Sequence, residues 1–228
     1  MHADWLEFKE YIEKNEMDLP GYVVDGWYEY FSLLLETNKT MNLTRIVEHK
    51  DAILKHFLDS YSLHTFLESR DIVDNLETFL DFGTGGGIPG IPLKILWGDP
   101  HLFLVDARNK KLKFLEDVCY ELSISGVTYV HENWDKYNSK IWSKKNKIKL
   151  DLVVSRAVGN SVKLIEILSP ITQKYILLPR GPELLPNEFN LCRKAASKKS
   201  FNKAINKNFK ISYADQEIER NLFFFEKR

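Results

Sequence analysis

The chain has 228 residues, 44% of them hydrophobic and 28% charged, with 32 basic and 32 acidic residues, and this length suits one α/β domain with an appendage better than two large domains. No apolar run approaches the ~18 residues of a membrane span, and the acidic, weakly apolar residues 1–10 do not form a signal peptide, so we expect a cytoplasmic protein. Cys119 and Cys192 are too few for a disulfide framework or a zinc site, so we expect reduced thiols and no bound metal.

Residues 1–70 are predicted to form an N-terminal helical segment. Apolar residues recur at helical spacing in three stretches, 5–12, 23–34 and 53–63. The polar stretch ETNKTMNLT, residues 36–44, is interpreted as a loop. In the third helix, His56 and Asp59 lie three residues apart, a spacing that favours a local polar pair.

Residues 71–228 are predicted to form an α/β domain in which short apolar strands alternate with amphipathic helices. This alternation builds a mostly parallel sheet covered by helices on both faces, with ligands at the carboxyl ends of the strands. A lysine-rich helix or loop precedes two final strands, which we expect to pair antiparallel. The predicted strands are TFLDF, HLFLV, VTYVH, DLVVS, KYILL, NFKISYA and LFFFEK, and the predicted helices are PGIPLKILW, residues 112–122 and VKLIEIL.

The stretch FLDFGTGGGIPGIPL, residues 79–93, predicts a strand, a glycine loop and a helix in succession. Gly85, Gly87 and Gly90 fit the pattern G-x-G-x-x-G, and Asp106 follows Gly85 by 21 residues, at the end of the next strand. A dinucleotide site is therefore the first hypothesis.

Two prolines in this stretch argue against a dinucleotide. Backbone N–H groups at a helix N-terminus bind pyrophosphate, and Pro89 and Pro92 have none to offer. A cofactor that contains ribose and adenine but no phosphate loses nothing from their presence. S-adenosylmethionine is such a cofactor, and Asp106 can accept hydrogen bonds from both of its ribose hydroxyls.

Charge is unevenly distributed along the chain. Residues 1–30 contain eight acids and two lysines, residues 136–149 contain six lysines and no acid, and residues 190–210 contain seven basic residues and no acid. Basic blocks of this kind are either solvated faces or the footprint of a polyanion such as RNA.

Five short motifs together resemble the RsmG (GidB) family of 16S ribosomal RNA guanine-N7 methyltransferases. They are MNLT, HFLDS, FLDFGTGGGIPGIPL, VDARNKKLKFL and VVSRAVG. The similarity extends from about Lys39 to Gly181, and a weaker similarity is present in ERNLFFFEK near the C-terminus. It implies a class I S-adenosylmethionine-dependent methyltransferase fold, Rossmann-like, with a seven-stranded mostly parallel sheet whose last strand is antiparallel, preceded by a small helical segment.

The resemblance also implies which residues bind the cofactor. The matching positions are Gly83, Ile88, Asp106, Trp134, Asp135 and Arg156, and the glycine pattern adds Gly85 and Gly87 to the expected cofactor-binding residues. Four alternatives stay open from the residues themselves: Ile88 could be apolar filling of the loop, Trp134 could belong to the core, Arg156 could form a structural ion pair, and Gly90 could serve helix–sheet packing. Asn42 and Thr44 could line the same cleft or cap a loop.

The implied chemistry needs no general base, because guanine N7 carries a lone pair and no proton. Catalysis would come from alignment and exclusion of water, for which Arg156 and His56 are the positioning candidates. No catalytic nucleophile or base is predicted.

One segment departs from the resembled family. Where that family commonly has A-L-K-G, this chain has LLPRGPE, which places Arg180 at the lysine position. Arg180 retains a positive charge for a phosphate contact. The expected RNA-binding residues are Arg180, Lys144, Lys145, Lys198 and Lys199.

Four functions stay open at this point. The first is methylation of 16S RNA in the small ribosomal subunit by a monomer, and the second is a methyltransferase of the same fold acting on another RNA or a small molecule. A nicotinamide-dependent oxidoreductase explains the glycines and Asp106 but neither the prolines nor the basic blocks. A non-catalytic RNA-binding module explains the basic blocks but has no use for the glycine loop.

Overall fold

The computed structural model describes residues 1–148, 150–156 and 159–227. Ala157 and Val158 of the VVSRAVG motif, and Lys149 at the end of the first lysine block, lie outside these described residues. Within them, the chain folds into a mixed sheet with helices on both faces. No helix of this described part is long and apolar enough to cross a membrane.

The N-terminal segment is helical, as predicted. Its helices are α1 (Ala3–Lys14), α2 (Gly21–Met41), α3 (His49–Ala52), a π-helical stretch (Ile53–Leu58) and α4 (Asp59–Glu68).

The loop predicted at residues 36–44 is wrong for its first six residues, which form the last turns of α2. These residues are mostly polar and face solvent, so they carry no apolar periodicity although Glu and Lys are good helix formers. The helix ends at Asn42, whose φ of 51° is left-handed. The Asn38 side chain then accepts hydrogen bonds from the N–H groups of Leu43 (2.6 Å) and Thr44 (2.9 Å).

The sheet confirms the predicted topology. Its seven strands follow the order β3-β2-β1-β4-β5-β7-β6, and β7 alone runs antiparallel, to both β5 and β6. The strands are β1 (Thr78–Phe82), β2 (His101–Asp106), β3 (Val127–His131), β4 (Leu150–Val154), β5 (Thr172–Arg180), β6 (Phe201–Tyr213) and β7 (Gln216–Lys227).

Strand β6 begins at Phe201, about seven residues before the predicted strand NFKISYA. Lysines and asparagines occupy the exposed positions in the first half of β6, so this half lacks the alternation of apolar and polar residues that predicts a strand. The last two strands form a long hairpin whose tip contacts α1. There the Tyr213 hydroxyl donates to the Asp4 carbonyl at 3.2 Å, and the Tyr11 hydroxyl donates to the Ser212 carbonyl at 3.1 Å.

Five further helices connect the strands. One of them, α7, coincides with the first lysine block, for which no element was predicted. They are α5 (Gly90–Trp97), α6 (Asn109–Glu121), α7 (Lys136–Asn146), α8 (Ser161–Leu168) and α9 (Glu188–Ser197).

Two hydrophobic clusters sandwich the sheet. Helices α1 to α6 cover one face, where Trp27 and Phe57 belong to the same cluster as Phe79 of β1. Helices α7, α8 and α9 cover the other face around Leu80 and Phe223. The N-terminal helical segment therefore packs directly on the sheet and closes one side of its carboxyl edge.

Candidate active site at the carboxyl edge of the sheet

The glycine loop turns sharply after β1 because three of its glycines have left-handed backbones. The φ angles are 71° at Gly83, 60° at Gly85 and 104° at Gly87, a region that disfavours a side chain. The N–H groups of Gly83 and Thr84 both donate to the Val105 carbonyl, at 2.9 and 3.0 Å. These bonds hold the loop against the end of β2.

Asp106 and the glycine loop meet as the sequence predicted. Asp106 Oδ2 accepts a 3.0 Å hydrogen bond from the Gly85 N–H, and Oδ1 accepts a 2.9 Å bond from the Arg108 N–H. Both bonds orient the carboxylate at the carboxyl end of β2. Each oxygen retains a further lone pair, so the group can still accept ligand hydroxyls.

The start of α5 has no spare donor for a phosphate. Pro89 and Pro92 lack an N–H, the Gly90 N–H donates to Asp81 Oδ2 at 3.0 Å, and the Ile91 N–H donates to the Gly87 carbonyl at 2.7 Å. An anion at this helix N-terminus would need those groups. This geometry supports the sequence argument against a dinucleotide.

Asp81 is a buried acid beside the loop that sequence analysis did not single out. Its Oδ2 accepts from the Thr84 hydroxyl at 2.7 Å and from the Gly90 N–H, whereas its buried Oδ1 has no partner among the described residues. Burial raises the pKa of Asp81 to about 6. An unpartnered carboxylate oxygen at this position suits a cationic group such as the ammonium of S-adenosylmethionine. The signal that could have identified Asp81 is its place in the strand end LDFG.

Gly90 serves packing, the alternative that the sequence left open. A Cβ at this position would lie 2.8 Å from Asp81 Oδ2 and 3.0 Å from Leu104 Cδ2. The absence of a side chain therefore lets α5 approach β1 and β2 closely.

The side chain of Trp134 is part of the hydrophobic core. The indole is 5% exposed and stacks on Phe82 at 5.9 Å between ring centroids, with Trp142 of α7 at 5.0 Å on another side. Asp135 is exposed, and its Oδ1 accepts a 2.8 Å bond from the Asn138 N–H at the start of α7. A ligand could therefore contact Trp134 only at its backbone atoms.

Arg156 follows β4 and joins the carboxyl edge to the N-terminal helices. The hydroxyl of the preceding residue, Ser155, donates to the Phe82 carbonyl at 2.9 Å, which keeps this turn next to the glycine loop. Arg156 Nη1 donates to Asp59 Oδ2 at 3.0 Å, and Arg220 Nε donates to Asp59 Oδ1 at 2.9 Å. Arg220 was missed by sequence analysis, although it precedes the apolar run of β7 in the motif ERNLFFFEK.

The predicted pairing of His56 with Asp59 is wrong, because Arg156 lies between them. Arg156 Nη2 is 3.3 Å from His56 Nδ1, and His56 Nε2 is 3.1 Å from Thr44 Oγ1. Burial, followed by the charge of Arg156, lowers the pKa of His56 to about 3. The ring is therefore neutral at physiological pH. His56 Nδ1 faces both the Arg156 guanidinium, which only donates, and the Lys55 carbonyl at 3.2 Å, which only accepts.

A cavity of about 350 Å³ opens between these arginines and the end of β5. Arg180 Nη2 lies 3.4 Å from Glu188 Oε1 and 3.4 Å from the Gly159 carbonyl, so the guanidinium is held at the rim. Guanidinium groups and carboxylates together suit a ligand that carries both acceptors and donors. The cavity is lined by Asp59, Arg156, Gly159, Arg180, Glu183 and Arg220, among others.

The predicted lysines do not join this cavity. Lys144 and Lys145 lie in the last turn of α7, and Lys198 and Lys199 lie at the end of α9. Both helices start near the carboxyl edge of the sheet and run back towards its amino edge. These four lysines consequently lie far from the glycine loop.

The sequence matches a family model along most of its length. The model is described as GidB, rRNA small subunit methyltransferase G, and it matches residues 26–218. Proteins named ribosomal RNA small subunit methyltransferase G are similar to this chain. The one from Desulforamulus reducens is 34% identical over 181 residues, which cover 78% of this chain and 72% of that protein. The one from Clostridium tetani is 32% identical over 205 residues, 89% of this chain and 82% of that protein.

Solved structures resemble the fold at much lower identity. A magnesium protoporphyrin IX methyltransferase from Synechocystis, solved with bound S-adenosylmethionine, is 12% identical with a TM-score of 0.58, covering 87% of this chain and 97% of that one. A S-adenosylmethionine-dependent O-methyltransferase from Thermotoga maritima is 16% identical with a TM-score of 0.53, covering 85% and 71%. These likenesses concern the fold alone.

Proposed function

Because this chain belongs to the rRNA small subunit methyltransferase G family, we propose that it transfers a methyl group from S-adenosylmethionine to N7 of a guanine in 16S ribosomal RNA. The match over residues 26–218 is the observation on which this proposal most depends. The chain acts as a monomer on the small ribosomal subunit in the cytoplasm.

The residues that hold the cofactor are those of the glycine loop and the two acids beside it. Gly83 and Gly85 leave room for the ligand against bare backbone, and the partly buried Ile88 offers it an apolar side chain. Asp106 accepts the ribose hydroxyls, and Asp81 Oδ1 compensates the positive amino-acid end. Trp134 and Asp135 supply backbone and carboxylate groups for the adenine. When bound, the cofactor supplies a methyl group on a positively charged sulfur.

The protein has little proton chemistry to perform, because the nitrogen that receives the methyl group carries no proton. Its residues need to orient the base and exclude water. Arg156 is fixed by Asp59 and by neutral His56, so its guanidinium can hold either the cofactor carboxylate or an RNA phosphate without moving. A charged His56 would repel this arginine, and its lowered pKa prevents that.

Arg180 and the lysines bind RNA phosphates. Arg180 lies at the rim of the cavity beside Arg220, where a splayed target nucleotide would enter. Lys144, Lys145, Lys198 and Lys199 contribute to affinity collectively and at a distance from the reacting atoms.

The test is incubation with methyl-labelled S-adenosylmethionine and small ribosomal subunits that lack the modification, followed by mapping of N7-methylguanine along the 16S RNA. We expect label at one guanine, and no label with Asp106→Ala. If neither subunits nor free 16S RNA is labelled although the chain binds cofactor, the substrate is wrong, and the methyltransferase acts on another RNA or a small molecule.

A further inference from the structure

A second basic groove lies between α9 and the edge strand β6, outside the candidate active site. Its volume is about 670 Å³, and Arg193, Lys194 and Lys198 line it together with Phe201 and Ala204. None of the three cations forms an ion pair within residues 1–148, 150–156 and 159–227.

Two of the lysines on the neighbouring strand β6 are neutralised. Lys203 pairs with Glu226 at 2.8 Å and Lys210 pairs with Glu217 at 2.7 Å. The groove therefore holds three uncompensated cations of α9 and its C-terminal end, next to a strand on which part of the charge is compensated.

The described residues of α7 and α9 include no exposed acid, and the exposed acids nearest to them are Asp135 before α7, Glu183 before α9 and Glu166 of α8. The acid of α9, Glu188, is buried and accepts hydrogen bonds from Ser161 and from the Leu185 N–H. Helix α7 contains lysines and no acid. The acidic stretch of residues 1–30 forms α1 and part of α2, which lie on the opposite face of the sheet. The layer formed by α7, α8 and α9 thus contains more basic than acidic residues, and it would attract a polyanion.

The groove is distant from the cavity that contains Arg180. Ala204 of the groove pairs with Phe225 of β7, and Phe225 pairs with Ile176 of β5, four residues before Arg180. At about 3.3 Å per residue, the groove begins roughly 13 Å from Arg180 along the sheet and continues away from it towards Phe201. At about 3.4 Å per stacked nucleotide, a target nucleotide with one neighbour on each side spans less than that distance.

We propose that the α9–β6 groove is a second binding site for RNA phosphates, so that the substrate contacts both edges of the sheet at once. This inference depends on the proposed function for the identity of the RNA. The required substrate is a long folded RNA or an assembled subunit, and a short RNA that carries only the target guanine and its flanks occupies the active site alone.

The test compares the wild-type chain with Lys194→Glu/Lys198→Glu for two RNA probes: small ribosomal subunits, and a trinucleotide with the target guanine at its centre. Lys14→Glu/Lys113→Glu is the matched control, because Lys14 and Lys113 are exposed on α1 and α6, on the other face. Thermal unfolding of each variant verifies the fold, and Lys194→Ala/Lys198→Ala replaces the reversal variant if that one unfolds.

We expect the groove variant to bind subunits about tenfold or more weakly, with a slope of log K against log salt reduced by about 1.4 to 1.8, since each of the two lost phosphate contacts removes about 0.7 to 0.9. Binding of the trinucleotide should change less than about twofold, as should both affinities of the control variant. Equal weakening for both probes, equal weakening in the control, or wild-type affinity of the groove variant for subunits would overturn the inference. These affinities are measured independently of methyl transfer, so a failure of the proposed function would instead appear as unlabelled RNA with the wild-type chain.

Discussion

Asp59 and Arg156 are 97 residues apart in the sequence, and a 3.0 Å hydrogen bond from Arg156 Nη1 to Asp59 Oδ2 joins them. The other oxygen of Asp59 accepts from Arg220 Nε. One buried carboxylate therefore connects the N-terminal helices, the end of β4 and the start of β7. These three segments meet at the wall of the candidate active site, where Asp59, Arg156 and Arg220 line the cavity.

Replacing Asp59 should destabilise the fold as well as the site. Asp59→Asn leaves two guanidinium groups without their counter-charge, and we expect a loss of about 3 kcal/mol in the free energy of unfolding. Urea denaturation measures this. The control is Asp51→Asn on α3, whose pair with Lys55 at 2.8 Å is a half-exposed helical pair and should contribute less than about 0.5 kcal/mol. Similar losses in both variants would contradict a special role for Asp59.

Asp106 should determine cofactor affinity. Removing its charge in Asp106→Asn weakens hydrogen bonds that contribute on the order of 1.5–3 kcal/mol, so we expect about 10- to 150-fold weaker binding of S-adenosylhomocysteine by calorimetry. The exposed Asp117→Asn on α6 serves as control and should bind as the wild type does. If Asp106→Asn bound the cofactor product with unchanged affinity, the role of the carboxylate would be limited to its hydrogen bonds with the backbone N–H groups of Gly85 and Arg108.

Gly90→Ala should affect stability and leave the ligand contacts of the folded protein intact. The added Cβ would meet Asp81 and Leu104 at 3.0 Å or less, and overpacking of this kind costs about 1–3 kcal/mol. Gly21→Ala is the matched control, because a Cβ there meets nothing within 4 Å. If Gly90→Ala kept its stability and lost cofactor binding, Gly90 would be a ligand contact and not a packing position.

His56 and Asp81 should give opposite pH dependences to stability. Folding lowers the pKa of His56 from 6.5 to about 3, so its contribution is complete above pH 6.5 and is lost as the pH falls towards 3. Folding raises the pKa of Asp81 from 3.8 to about 6, so its contribution is complete below pH 3.8 and is lost as the pH rises towards 6. Between about pH 4 and 6 each slope approaches 1.4 kcal/mol per pH unit, and the two oppose each other.

Single variants should separate these slopes in urea denaturation measured from about pH 4 to 6. His56→Gln removes the histidine slope, so its stability should rise as the pH falls. Asp81→Asn removes the other slope, so its stability should decrease as the pH falls. Curves parallel to that of the wild type would show that these groups do not titrate as their burial implies.

The sequence predicted the sheet well because its signal is local. Short apolar strands, glycines and prolines mark β1, α5 and β2 without help from the rest of the chain, and the meeting of Gly85 with Asp106 follows from the topology. What the sequence could not predict are contacts between distant segments. The polar end of α2 carries no apolar period, and the arginines around Asp59 meet only when α4, β4 and β7 are packed together.

The position of the lysines shows the same limit. Lys144 and Lys198 stand out in the sequence as basic blocks, but their distance from the glycine loop depends on the direction in which α7 and α9 run. Charge composition therefore indicated a class of partner, and the fold was needed to indicate which surface that partner would contact.

The hydrogen bond between the Tyr213 hydroxyl and the Asp4 carbonyl spans 209 residues and has a consequence for synthesis. During translation at roughly 5–20 residues per second, α1 leaves the ribosome roughly 10 to 40 seconds before the strand that it contacts. In that interval the apolar side of α1, with Trp5 and Phe8, lacks part of its final cover. A nascent chain stalled before β6 would therefore expose this side of α1 to chaperones or to aggregation.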